Sequence, residues 1–191
     1  MENVDKKMRI SAFYFPIYNL GPSKRFVLWT QGCDIRCEGC ISQHTWDKMG
    51  GIEVSVEELI KKMIVSKKSG CEGITISGGE PFLQYGSLLI LLKEIKREYD
   101  DILVYTGYRF ENIKNEFKSC LRYISVLIDG KYIKDKKSNL IWRGSNNQKM
   151  IILSKKNVIR EKYEKYRRKR KNNIFQRFKF ENEFIISGIP K

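Results

Sequence analysis

Arg25-Phe26-Val27-Leu28-Trp29-Thr30-Gln31-Gly32-Cys33-Asp34-Ile35-Arg36-Cys37-Glu38-Gly39-Cys40 runs from an apolar stretch straight into a loop of cysteines. Phe26 to Trp29 are consecutive large apolar residues, and a run this short reads as a buried strand. A strand that ends in a reactive loop is the mark of an α/β architecture, in which ligands gather outside the carboxyl ends of the strands.

Further strands are expected at Met8 to Phe15, Gly73 to Ser77, Ile102 to Thr106, Ile124 to Asp129 and Met150 to Leu153. Helices are expected between them. Ser55 to Lys67 is the clearest, because Ser55 can cap the first turn with Glu58 three residues on completing a capping box. Gly86 to Glu98 carries Leu88, Leu91, Leu92 and Ile95 at helical spacing, and a shorter helix is expected around Glu111 to Cys120. Strands alternating with helices predict a parallel sheet with right-handed crossovers. At 191 residues the chain is too short for an eight-unit barrel of about 250, so the expected fold is an open, partial TIM-like barrel. The loops after Gly32, Ser77, Thr106 and Asp129 would converge at one end of it.

The cysteine loop supplies three thiolates at C-x3-C-x2-C spacing. Iron-sulfur clusters are ordinarily held by four thiolates, so three would leave one iron open to another ligand. The rival is a Cys3His zinc site with His44, the only histidine, four residues beyond Cys40. Spacing alone leaves both open. The chain has five cysteines, and the remaining two, Cys71 and Cys120, are far apart and read as buried structural thiols. Gly78-Gly79-Glu80-Pro81 follows the strand at Gly73. Its glycines allow close backbone approach, Glu80 offers a carboxylate to an ammonium group, and a side chain at Gly79 is expected to intrude on a bound cofactor.

Composition narrows the setting. The apolar stretches, such as Leu88 to Leu92, are too short to span a bilayer, and residues 1 to 9 lack the apolar core of a secretory signal, so a cytoplasmic protein with no membrane partner is expected. The net charge of +15 suits an acidic partner without choosing one. Ten basic and two acidic residues between Lys155 and Lys171 mark a basic C-terminal appendage, so the expected division is a core at 1–153 and an extension at 154–191. The run Phe184 to Ile189 could add an edge strand.

The cysteine spacing followed by Gly78-Gly79-Glu80-Pro81 resembles the radical-SAM superfamily. Gly21-Pro22-Ser23, Thr45-Trp46, Tyr105-Thr106-Gly107-Tyr108, Leu127-Ile128-Asp129-Gly130-Lys131 and Ile141-Trp142-Arg143-Gly144-Ser145 make the chain similar, within it, to the activating proteins of anaerobic ribonucleotide reductase. The resemblance covers approximately residues 10 to 153. Three features depart from the usual pattern: Glu38 stands where proline is common, Asn146 where serine is common, and the basic extension has no counterpart.

The resemblance implies the radical-SAM type of partial barrel and an activase that reductively cleaves S-adenosylmethionine and leaves a glycyl radical on a partner enzyme. It implies that Cys33, Cys37 and Cys40 hold a [4Fe-4S] cluster, that Gly39, Cys40 and Ile41 flank the cofactor, and that Gly78, Gly79 and Glu80 receive its methionyl amino group. Thr106 and Asp129 become candidates for ribose or carboxylate contacts, with Lys131 and Arg143 as further carboxylate contacts. The electron would come from a flavodoxin or ferredoxin. Two other readings stay open: a radical-SAM enzyme acting on a different glycyl-radical enzyme, a peptide or a small molecule, and a zinc-stabilised basic module binding nucleic acid through its phosphates. Nucleic acid is not the partner expected of the first two.

Overall fold

The computed structural model describes residues 6–171 and 175–189. Seven strands form one sheet in the order β3-β1-β2-β4-β5-β6-β7, with β1 at Lys7–Ile17, β2 at Arg25–Thr30, β3 at Ile52–Ser55, β4 at Gly73–Gly78, β5 at Ile102–Tyr105, β6 at Val126–Asp129 and β7 at Lys149–Ile152. The four central strands β2, β4, β5 and β6 are parallel. They are apolar on both faces because both are covered, as parallel sheets require.

The sheet is mixed, which differs from the all-parallel expectation. β1 pairs antiparallel with β2 and β3, and β7 pairs antiparallel with β6. The physical reason is connection length: only seven residues join β1 to β2, too few for the crossover that parallel neighbours need. β3 was not expected at all, since Ile52-Glu53-Val54-Ser55 is a short edge strand with little apolar run. β3 and β7 end the sheet, which does not close on itself.

Helix α1 (Val56–Lys68) starts where the capping box predicts, with the Ser55 hydroxyl accepting from the Glu58 amide at 3.1 Å. With α2 (Tyr85–Ile95) it covers one face of the sheet, burying Leu59, Met63, Leu88, Leu91 and Leu92 against Ile74, Ile76 and Val104. Cys71 and Cys120 lie in this same core. The region around 111–120 forms two short helices, α3 (Phe110–Ile113) and α4 (Lys118–Leu121), rather than one.

The other face is covered by residues that follow β7. Helix α5 (Asn157–Arg167) buries Ile159 and Tyr163 against Leu103, Val126, Ile128 and Trp142. Strands β8 (Gln176–Phe180) and β9 (Glu183–Ser187) pair with each other in a separate hairpin, so the run at Phe184 does not extend the main sheet. Phe178 of β8 stacks on Tyr14 at 4.3 Å and on Trp29 at 5.3 Å between ring centres. Beneath α5, the fully buried Arg25 pairs with Asp101 at 3.1 Å, and the Tyr163 hydroxyl donates to the same carboxylate at 2.6 Å. Burial works to raise the Asp101 carboxyl, but Arg25, Tyr163 and Lys162 together hold it below the ordinary aspartate range.

Candidate functional site

The parallel strands deliver their loops to one end of the sheet. There the Gly32 amide donates to the Thr45 carbonyl at 2.8 Å and the Cys33 amide to the Trp46 carbonyl at 3.2 Å, so the cysteine loop is pinched shut at its base. The buried Gln31 side chain adds bonds to the carbonyls of His44 and Asp47. Inside the loop, Arg36 and Gly39 take left-handed φ values of 45° and 70°, and the Cys40 amide donates to the Cys37 carbonyl at 3.1 Å. These turns fold eight residues back on themselves and bring three half-buried thiols to one side.

Cys33, Cys37 and Cys40 line a cavity of about 130 Å³ together with Gly78, Gly79, Glu80 and Thr106. Burial pushes the Cys33 and Cys37 thiols up, with nearby Glu80 and Asp34 adding to the effect at Cys33 and the other two cysteines at Cys37. Thiols of this kind are protonated when free, and metal binding would release those protons. Among the described residues no three His, Cys, Asp or Glu side chains are grouped closely enough for one metal ion. His44 is exposed and faces a neighbouring cavity instead. Three thiols from one loop facing one hollow, with His44 at the neighbouring cavity, fit an iron-sulfur cluster with one open iron better than a Cys3His zinc site.

The turn after β4 is built against this loop. Gly78 has φ 104°, and a Cβ there would overlap the backbone of Thr30. A Cβ on Gly79 would overlap the Gly32 carbonyl oxygen, while the Gly79 and Glu80 amides donate to Thr30 and Gly32 at 2.8 Å each. The glycine at 79 is therefore required first by the cysteine loop itself, which corrects the expectation that a side chain there would meet the cofactor alone.

Glu80 is buried. Its Oε1 accepts from the Phe82 amide at 3.1 Å and the Thr106 hydroxyl at 2.9 Å, and its Oε2 from the Gly107 amide at 2.8 Å. Burial outweighs these three donors and pushes its carboxyl up to about 7. A cation arriving beside it would restore the charged form.

The other expected residues fall into two groups. Gly39, Cys40 and Ile41 line a larger cavity of about 430 Å³ next to the first. Thr106 lines the small one and orients Glu80. Asp129 does not reach either cavity: its two oxygens accept from the Phe110 and Lys149 amides at 2.8 and 3.1 Å and fasten the end of β6. Arg143 is turned away as well, donating to the Arg167 carbonyl. Tyr105, Tyr132 and Gln148 line both cavities and were not singled out by sequence. Tyr105 lies in an expected strand and Gln148 closes the Trp142-Arg143-Gly144-Ser145 segment, but neither carries a spacing signal of its own.

Residues 19–151 match the family model of the 4Fe-4S single cluster domain. The chain is 36% identical over 134 residues to the anaerobic ribonucleoside-triphosphate reductase-activating protein of Enterobacteria phage T4, covering 68% of this chain and 85% of that one. It is 36% identical over 135 residues to the protein of that name in Haemophilus influenzae, covering 67% and 87%. With the one in Escherichia coli it shares 34% identity over 143 residues, covering 71% and 93%.

Proposed function

Because the chain belongs to the family of anaerobic ribonucleoside-triphosphate reductase-activating proteins, we propose that its cysteine-lined cavity is the centre from which a glycyl radical is installed on that reductase. The protein is a radical-SAM activating enzyme with a [4Fe-4S] cluster and S-adenosylmethionine as cofactors. When bound, these supply one-electron cleavage to methionine and a 5'-deoxyadenosyl radical, which takes a hydrogen atom from a glycine of the partner and leaves as 5'-deoxyadenosine.

The observation that carries the residue assignments is the convergence of Cys33, Cys37 and Cys40 with Gly79 and Glu80 on one small cavity. The thiols hold the cluster. The Glu80 carboxylate, fixed by three donors, takes the methionyl ammonium, and Thr106 positions Glu80 rather than touching ribose. Cys40 and Ile41 extend the cofactor site into the larger cavity. Asp129, with both oxygens engaged by backbone, supports the β6 end.

The reading extends to the fold and its setting. Four parallel strands presenting the site at their carboxyl ends support an open, partial TIM-like barrel of the radical-SAM type. The family match ending at residue 151 supports a core of 1–153 with an added extension. No helix among the described residues is long and apolar enough to cross a membrane. A cytoplasmic site of action and a flavodoxin or ferredoxin as electron donor complete the proposal. Anaerobic reconstitution tests it: the expected sample is brown, binds four irons per chain and forms 5'-deoxyadenosine when reduced with S-adenosylmethionine. A colourless protein that binds one zinc would overturn it.

A further inference from the structure

We infer that the β8–β9 hairpin of the extension walls the cavity that receives the partner's glycine-bearing segment, and that Ile186 on this wall sets how well that segment binds. The inference rests on the activase reading. The larger cavity, of about 430 Å³, shares Cys40, Ser77, Tyr105, Tyr132 and Gln148 with the cysteine-lined one, so the two hollows adjoin. That volume lies in the range of ordinary ligand sites. Its lining includes Ile41 of the cysteine loop, Trp29 and Trp142, and the continuous stretch Ile185 to Ile189.

Two large apolar residues are left facing solvent at this cavity. Ile41 is 63% exposed and Ile186 is 68% exposed, and they come from the cysteine loop and the hairpin. Packing of the hairpin does not need Ile186: Ile185 of β9 and Ile189 beyond it pack with Phe178 and Val27 instead. Exposed apolar residues converging on one hollow mark a binding surface.

Position selects the occupant. A radical formed at the cysteine-lined end can act only on a chain that reaches it, and the reacting residue is a glycine, which offers backbone and no side chain. Among the described residues β9 has β8 on one side and no strand on the other, so an extended segment can lie against its Ile186 end by strand addition. The wall is held firmly. Ser187 donates to the Asn19 side chain at 2.6 Å and receives the Asn19 amide on its carbonyl at 2.8 Å, and Gln176 accepts from the Tyr18 amide at 2.5 Å. It also lies beyond residues 19–151, which match the family model.

The test uses the reconstituted full chain with the anaerobic ribonucleotide reductase of the same organism, comparing Ile186→Asp, Ile186→Leu and a control, Phe184→Asp. Phe184 is 64% exposed on the same strand and does not line the cavity. Ile186→Asp is expected to raise the reductase concentration for half-maximal glycyl radical formation by about tenfold or more, as loss of a central apolar contact does. Its 5'-deoxyadenosine formation without reductase should equal wild type, and the other two variants should match wild type throughout. An unchanged half-saturation in Ile186→Asp, or an equal rise in Phe184→Asp, overturns the inference. Loss of cleavage without reductase in Ile186→Asp would assign the wall to the cofactor and overturn it too. A wild-type enzyme that forms no glycyl radical at any reductase concentration overturns the activase reading itself, and the inference with it.

Discussion

The Glu80 carboxylate accepts a hydrogen bond from the Thr106 hydroxyl, 2.9 Å from oxygen to oxygen, tying the turn after β4 to the end of β5. Glu80 is thus held in place before any cofactor arrives. Burial pushes its carboxyl up from 4.5 to about 7, so between these two values the folded protein keeps a proton that the unfolded chain has lost. Stability of the cofactor-free protein should therefore fall as pH rises from about 4.5 to 7, by roughly 3 kcal/mol in all, and level off above.

The same shift sets cofactor affinity. Only ionised Glu80 pairs with an ammonium, so S-adenosylmethionine binding should strengthen about tenfold between pH 6 and 8. Thr106→Val removes a donor to the ionised form and should move the midpoint up by about one pH unit. Calorimetric titration across this range checks both, and a flat profile would remove Glu80 from the ammonium site.

Gly79→Ala is expected to damage two things together, because the added methyl overlaps the Gly32 carbonyl that precedes Cys33. Iron content after reconstitution should drop well below wild type along with S-adenosylmethionine binding. A variant with full iron and lost binding would return the glycine's role to the cofactor.

Replacement of Cys33, Cys37 or Cys40 by alanine should each abolish cluster assembly and 5'-deoxyadenosine formation, since no further cysteine and no histidine among the described residues lines the cavity. Cys120→Ala, in the apolar core, should keep both and lose only about 1 kcal/mol of stability. Iron analysis and denaturant titration separate the two classes.

At the opposite end of the sheet, Asp101→Ala should cost about 3–5 kcal/mol because it leaves Arg25 buried and unpaired, whereas Tyr163→Phe should cost about 1–2 kcal/mol. Asp101 is held below the ordinary aspartate range, so its stabilising contribution is present above the unfolded carboxyl's titration and is lost as pH falls through the folded one. Urea titrations at pH 7 and in acid test the order and the direction.

Strands and helices with strong local signals were legible in the sequence: β2, β4 and the Ser55 cap follow from apolar runs and one hydroxyl. β3 was not, because four residues pairing with Lys7 to Ile10 gain their structure from a partner distant in the chain. The cysteine loop and its meeting with Gly79 and Glu80 could be expected from spacing and resemblance. The engagement of both Asp129 oxygens by backbone amides could not, since those partners at 110 and 149 are set by tertiary packing. Nor could the reach of the extension, whose Tyr163, Phe178 and Ile185 find their places only once the sheet face that they cover exists to receive them.

The most direct measurement is electron paramagnetic resonance of the reductase after anaerobic incubation with the reduced, cluster-loaded protein and S-adenosylmethionine. The account predicts a glycine-centred doublet on the reductase, absent with Cys37→Ala, accompanied by one 5'-deoxyadenosine per radical formed. Cofactor cleavage at the wild-type rate with no radical on the reductase would contradict it.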